Sequence, residues 1–277
     1  MLSVPILEAG PLPDIKLIGI DLDGTLVMNS HEVSARNIAA IRAATERGVT
    51  VAIATGRPHV SAEQFVERLG LHEVPIISFN GAQIRRPSEP TPMLSLPVPA
   101  DLAADIVQYC VERRYHIHYY LGDTMYVTRR SHWALLYDAR TGMTSVPARD
   151  LRRFSGQEPI KILVCVPEAE AMSVLAEGQQ RYGDRLLVTR SMPEYIEFLN
   201  RDAGKGKALA WLASQLGIPM EQTMGMGDML NDLQLVQMSG FGVAMPHAQA
   251  PVKAAAQYVA ESGPEGVAEA IEKFVLR

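Results

Sequence analysis

Residues 16–26 read KLIGIDLDGTL, and the reading of the fold starts there. The run at 16–20 is short and apolar, the pattern of a buried strand. Asp21 and Asp23 follow, one residue apart, with Gly24 and Thr25 behind them. Burying charge is expensive unless it is paired or bound to a metal, so two carboxylates at a strand end need a reason. An ordinary reason exists, a strand running out into a turn, for which Asp and Gly are common residues. The chemical reason is a metal-assisted phosphoryl-transfer site, and the six residues DLDGTL do not by themselves choose between the two.

The chain around that stretch alternates. Ser34 is placed to cap a helix with Ile38, Ile41 and Ala44 at helical spacing, stopped at Gly48. A β-branched strand over 49–53 leads to the loop Thr55, Gly56, Arg57, and Pro58 opens a helix that runs to Gly70. A third strand, PIISF at 75–79, ends in Asn80, Gly81 and Ala82. Strand, helix, strand, helix, strand is the signature of a parallel sheet with crossover helices, hence an α/β core of Rossmann-like, three-layer α/β/α type.

The rhythm then changes. Residues 87–99, PSEPTPMLSLPVP, carry five prolines and are expected as a connector rather than a core element. A helix over 101–114, an aromatic strand over 115–121, a turn at Gly122 and Asp123, and strands over 125–128 and 161–166 follow. A helix over 168–181 and a strand over 186–189 complete this stretch. None of these elements bears a polar loop like the first three, so 84–190 is expected as an α+β domain inserted into the first. The core then comprises 14–83 and 191–277, with a loose tail at 1–13. The opening pattern resumes near Lys205 with a helix, then TMGMGDMLND as a strand entering a second acidic loop, a strand FGVAM, and helices over 248–256 and 264–276.

Bulk properties narrow the function. The chain has 277 residues, 47% hydrophobic and 21% charged, the balance of a soluble globular protein with a real core. A formal net charge of -5 argues against a general nucleic-acid binder, which shows a basic face. No apolar stretch approaches ~20 residues, so no membrane span is expected. The N-terminus has no basic residue before its short apolar patch and is broken by prolines, which does not make a secretory signal. Cys110 and Cys165 lie far apart without a CxxC partner, so neither a disulfide framework nor a thiolate zinc site is expected. His116 and His118 share a strand face but have no third ligand, and a half-exposed strand is the expectation. A reducing cytoplasm fits this pattern.

In an open parallel α/β sheet the loops after the strand C-termini line one crevice, where ligands bind. Four such loops carry suggestive residues: Asp21 and Asp23; Thr55 and Gly56; Lys205; and Asp228, Asn231 and Asp232. Each has a structural reading alone, Thr55–Gly56–Arg57 as a surface loop and Lys205 as a solvated lysine. GKGKA is not a phosphate-cradling Walker loop, because Ala208 stands where Ser or Thr would bind metal, and GMGDML is not GxGxxG. Together the four make one kit. Asp21 and Asp228 would hold Mg²⁺, which prefers oxygen ligands. Asp21 would attack phosphorus and form an aspartyl-phosphate. Asp23 would pass protons to the leaving oxygen and from water. Thr55 with nearby amides would bind phosphoryl oxygens, Lys205 would supply positive charge, and Gly24 and Gly56 would leave room for close approach.

The ordered set Asp-x-Asp-Gly-Thr, Thr-Gly-Arg, Lys-Gly and Gly-Asp-x-x-Asn-Asp resembles the haloacid dehalogenase superfamily of phosphatases, and within it the Cof-like branch with a class IIB cap. SFNGA at 78–82, YIEFL at 195–199, GVAM at 242–245, VKAAAQYV at 252–259 and EGVAEAI at 265–271 extend the resemblance over nearly the whole chain from Lys16. It implies Asp21 as nucleophile, Asp23 as general acid and base, Thr55 as phosphoryl ligand and Lys205 as neutralising cation. Asp228 and the backbone carbonyl of Asp23 would then ligate Mg²⁺, with Asn231 and Asp232 orienting phosphate and metal shell. Met229 stands where such proteins carry a small residue, and Pro246–His247 where they carry Gly-Asn; His247 is expected to fill space. Asp202 is expected as an ordinary loop residue.

The resemblance also implies that the inserted cap closes over the core and selects the substrate, with YHIHYY, Arg129, Arg130, Trp133 and Arg190 as its candidate contacts. The expected activity is Mg²⁺-dependent hydrolysis of a small phosphomonoester, a sugar phosphate or phosphorylated cofactor. The chain would act as a monomer or weak homo-oligomer with no nucleic-acid or membrane partner. A phosphosugar mutase with the same aspartyl-phosphate and a non-catalytic phospho-ligand binder remain as alternatives.

Overall fold

The structure, a computed structural model, describes residues 14–28, 32–70 and 73–277; the tail expected at 1–13 lies outside the described residues. In chain order the elements are β1 (Leu17–Asp21), α1 (Ala35–Glu46), β2 (Thr50–Ala54), α2 (His59–Leu69), β3 (Ile76–Ser78), β4 (Gln83–Arg85), β5 (Leu94–Ser95), α3 (Ala100–Arg113), β6 (His116–Leu121), β7 (Thr124–Val127) and α4 (His132–Thr141). Then come β8 (Val146–Pro147), β9 (Lys161–Cys165), α5 (Glu168–Tyr182), β10 (Leu186–Met192), β11 (Tyr195–Asn200), α6 (Lys205–Gln215), β12 (Thr223–Gly227), α7 (Leu233–Met238), β13 (Phe241–Ala244), α8 (Ala250–Ala255), β14 (Tyr258–Val259) and α9 (Gly266–Phe274). The chain divides into two compact units, one of residues up to Ala52 with Ala210–Arg277, the other of Ile53–Leu209.

In the first unit β1, β12, β13 and β14 pair in parallel, with Ile20 opposite Met226 and Met226 opposite Val243. β1 is buried over its whole length, as a strand covered on both faces must be. The Ser34 hydroxyl accepts from the Asn37 amide and starts α1, as expected from the sequence. Asn37 is itself buried, donating to the Pro264 carbonyl and accepting from the Ala268 amide, which fastens α1 to the start of α9. Parallel strands of this register send every following loop to one end of the sheet.

In the second unit β2 and β3 are parallel, and β3, β4 and β5 then continue antiparallel. The proline-rich stretch expected as a bare connector therefore contributes β5, a two-residue edge strand, the position where neighbouring prolines interrupt no ladder. A six-stranded sheet of order β10-β11-β9-β6-β7-β8 makes up the rest. β10 runs through the expected boundary at 190/191, and β11 pairs antiparallel with both β10 and β9, so this sheet extends to Asn200. The helix α4 was not legible as one, because HWALLYDART packs its apolar residues in a run instead of spacing them along a stripe.

Alternation divides the six-stranded sheet into two buried faces. Ile117, Tyr119, Ile162, Val164, Ile196 and Phe198 pack with residues of α3 and α5. Tyr120, Leu163, Cys165, Tyr195 and Leu199 turn the other way and pack with Phe79, Ala82, Tyr137 and Ala203. Both faces are covered, so His118 is fully buried where a half-exposed strand was expected. Among the described residues no helix is long and apolar enough to cross a membrane.

Three histidines of this unit are held neutral. Burial first, then the Arg85 guanidinium, pushes His59 down to about 4. Burial and Arg129 push His116 to about 4, and burial, His116 and Lys161 push His118 well below its usual value. Among the described residues, neither ring nitrogen of His59 has a hydrogen-bond partner. The unfolded chain takes up these protons near the ordinary value of 6.5, before the folded chain does. Stability is therefore fully present above that value and is lost as pH falls toward 4. The urea midpoint is expected to stay level above pH ~7 and to drop between pH ~6.5 and ~4.5; a level midpoint across the lower window would contradict the burial of neutral imidazoles.

Candidate active site

Asp21 is the last residue of β1, and the chain turns sharply behind it. Leu26 donates to the Asp21 carbonyl at 3.2 Å, and Val27 to the Leu22 carbonyl at 2.8 Å. Gly24, at φ +89°, closes the turn and donates to the Val27 carbonyl. A Cβ there would lie 2.6 Å from Asp228 Oδ2, so glycine is required by both backbone and space. Thr25 donates its hydroxyl to Asp228 Oδ1 at 3.0 Å, joining loops 203 positions apart. The side chain of Asp23, two residues beyond buried Asp21, is exposed.

Asp228 follows β12, the neighbour of β1. Asp232 Oδ2 accepts from the amides of Asp228 and Met229, both at 3.0 Å, which folds the second acidic loop back on itself. A Cβ on Gly227 would lie 2.3 Å from Asp232 Cβ, so the strand end and the carboxylate are packed tightly. Asp21, Asp228 and Asp232 are all buried, and one ligand atom from each lies within 4.8 Å of the others. Asn231, in the same loop, is exposed. The sequence had Asp232 as a supporting residue; the structure puts it in the carboxylate cluster itself.

His247 departs from its expected role. It is exposed rather than filling space, and Nε2 lies 2.7 Å from the Gly24 carbonyl and 3.6 Å from Asp228 Oδ2. Because a carbonyl only accepts, Nε2 carries the hydrogen in that contact. Met229, the other departure, is exposed at the rim of the loop.

The second unit holds the remaining residues. Thr55 follows β2; its amide donates to the Ile77 carbonyl, and its hydroxyl oxygen accepts from the Arg57 amide at 3.1 Å. Gly56 sits against Asn80, whose Oδ1 would be 2.9 Å from an added Cβ. Asn80 is left-handed and donates its amide to the Thr55 carbonyl. Gly81, at φ +94°, leaves no space for a Cβ because the Gly204 carbonyl would be 2.3 Å away. That contact seats the residue just before Lys205 on the Asn80 loop, and Lys205 itself is buried. Asp202 is exposed and 3.9 Å from Lys207, an ordinary loop residue as expected. Thr25, Asn80 and the buried pair Lys161 and Glu197, which touches Gly56 and Asn80, were not singled out from the sequence. The SFNGA and YIEFL stretches contained two of them.

Known proteins resemble the chain over most of its length. The sequence model for haloacid dehalogenase-like hydrolases matches residues 18–271. The chain is 31% identical to the phosphatase YwpJ of Bacillus subtilis over 287 residues, covering 94% of this chain and all of that protein. It is 32% identical to the 5-amino-6-(5-phospho-D-ribitylamino)uracil phosphatase YcsE of the same organism, covering 95% and 97% of the two chains. A solved haloacid dehalogenase-like hydrolase from Bacteroides thetaiotaomicron superposes with TM-score 0.86 at 28% identity, covering 94% of this chain and 99% of that one. The fold class is thus the expected one, a Rossmann-like α/β core with an inserted α+β cap.

Gly24→Ala is expected to destabilise the protein by about 1–3 kcal/mol, from left-handed strain and the clash with Asp228. The effect should appear as a lower urea midpoint at unchanged slope, and an unshifted midpoint would show that the loop relaxes around the added methyl.

Proposed function

The chain belongs to the haloacid dehalogenase-like hydrolases and is a phosphatase, and from that premise we propose that it hydrolyses a small phosphomonoester in a Mg²⁺-dependent reaction through an aspartyl-phosphate on Asp21. The observation that carries this reading is the buried cluster of Asp21, Asp228 and Asp232, with Asp23 exposed two residues beyond Asp21. Like charges buried together repel, and an all-oxygen, carboxylate-rich donor set fits a hard divalent cation. Asp21, Asp228 and the Asp23 backbone carbonyl would hold Mg²⁺, with Asp232 shaping the loop through its two amide bonds. When bound, the cation supplies the charge that lets a carboxylate approach an anionic phosphate.

The chain's own residues carry the steps. An Asp21 carboxylate oxygen attacks phosphorus while the bond to the leaving oxygen breaks, and Asp23 gives that oxygen a proton. Asp23 then takes a proton from water, whose oxygen attacks phosphorus, releasing inorganic phosphate and the free Asp21 carboxylate. Thr55, the Gly56 backbone, Lys205 and Asn231 are the donors assigned to the phosphoryl oxygens, where hydrogen bonds and positive charge offset the charge that gathers in transfer. Exposure of Asp23 supports its part, because a proton shuttle must reach both the leaving group and water.

The inserted domain selects the substrate, a sugar phosphate or phosphorylated cofactor. The relative named for a phosphoribitylamino-uracil supports a small phosphorylated metabolite of that kind. Cys110 and Cys165 are buried free thiols, which supports a cytoplasmic setting.

Phosphate release from a panel of sugar phosphates, nucleotides and phosphorylated cofactors tests the reading. Release is expected with Mg²⁺, lost with EDTA, and reduced on the order of 10³-fold or more in Asp21→Asn. Release that survives both treatments would remove Asp21 and the metal from the mechanism.

A further inference from the structure

Lys161 on β9 and Glu197 on β11 face the same way from the six-stranded sheet and are 1% and 3% exposed. Lys161 Nζ lies 3.2 Å from Glu197 Oε1, which also accepts from the Ser191 hydroxyl at 2.8 Å. The ammonium sits over the rings of Tyr120 and Phe79, 5.3 and 5.6 Å from their centroids. Burial works against its charge, but the neighbouring Glu197 carboxylate prevails and holds Lys161 above the ordinary lysine value. A buried ion pair is weak evidence for stability, because apolar residues of the same volume often do as well. Its other contacts point to a different use.

Both partners reach the Thr55 loop. Lys161 donates to the Gly56 carbonyl at 3.4 Å. Glu197 Oε2 accepts from Asn80 Nδ2 at 3.1 Å, and the Asn80 amide in turn donates to the Thr55 carbonyl at 3.0 Å. In a trans peptide the carbonyl and the following N–H point in opposite directions. Fixing the Gly56 carbonyl on Lys161 therefore aims the Arg57 N–H the other way, where it donates to Thr55 Oγ1 at 3.1 Å. With a lone pair of that oxygen taken by Arg57, the hydroxyl hydrogen is left available as a donor.

We propose that Lys161 and Glu197 are positioning residues for phosphoryl transfer, which set the Thr55 hydroxyl as a donor to the phosphoryl group by orienting the Gly56–Arg57 peptide. This rests on the phosphatase reading and on Thr55 as a phosphoryl ligand. It separates the pair from a purely structural one, because its effect must pass through Thr55.

A double-mutant cycle tests it, with Lys161→Met plus Glu197→Gln as one change, chosen so that no charge is left buried alone, and Thr55→Val as the other. The readouts are kcat/KM for p-nitrophenyl phosphate and the Kd of orthovanadate, both with Mg²⁺, alongside the melting temperature. With Thr55 in place the paired change is expected to lower kcat/KM about tenfold and weaken vanadate comparably, as loss of orientation does. In the Thr55→Val background it should change either by less than about twofold. Equal losses in both backgrounds, with the protein folded, would overturn the proposal and leave the phosphatase reading standing. A wild-type protein that neither hydrolyses any phosphomonoester nor binds vanadate would overturn both. Should the paired variant fail to fold, Lys161→Arg in the same cycle keeps the charges but moves the donor off the Gly56 carbonyl, and is judged by the same coupling.

Discussion

Charge buried against like charge is the constraint around which the first unit is arranged. Asp21, Asp228 and Asp232 stand within 4.8 Å of one another away from solvent, where Coulomb repulsion is much stronger than in water. Neighbouring features serve that arrangement. Parallel pairing of β1 with β12 sets the two strand ends level, the Thr25 hydroxyl meets one oxygen of Asp228, and two backbone amides meet one oxygen of Asp232. Gly24 and Gly227 lack side chains where a Cβ would strike those carboxylates. Under the proposed function, carboxylates held this way would receive the cation without rearrangement, which is what makes preorganised electrostatics effective in catalysis.

The second unit handles buried charge by pairing opposite signs. Its six-stranded sheet is covered on both faces, so a charge buried on it is costly unless it is paired. Lys161 and Glu197 find each other, and then use their remaining bonding capacity on Gly56 and Asn80. A loop held from a packed interior keeps its geometry better than one held only by its own turn, and phosphoryl transfer depends on such geometry. The same interior leaves His59 and His118 neutral, so acid acts on the fold as well as on any catalytic group.

Much of this was legible in the residues. Ser34 announced α1 through its capping side chain, the strand–helix alternation announced the parallel core, and the four polar loops announced the candidate chemistry. Other parts were not. β5 hides among prolines because an edge strand of two residues needs almost no pattern. α4 hides because its apolar residues form a run, and β11 was assigned to the core because no local feature says which sheet a strand joins. His118 was read as half-exposed because alternation names a face but not what covers it, and His247 as filler because its partner, the Gly24 carbonyl, is 223 positions away.

The sequence by itself determined the class of the core and the identity of its chemical groups, since capping, strand periodicity and the order of Asp21, Asp23, Thr55, Lys205 and Asp228 are local facts. Tertiary structure alone decided that Asp232 joins the carboxylate cluster, that Asn80 and Gly81 connect the Thr55 loop to Lys205, and that Lys161 and Glu197 lie behind it. The physical reason is that burial and hydrogen bonding depend on strand pairing between distant segments. A lysine on a strand looks the same in sequence whether it faces water or a glutamate.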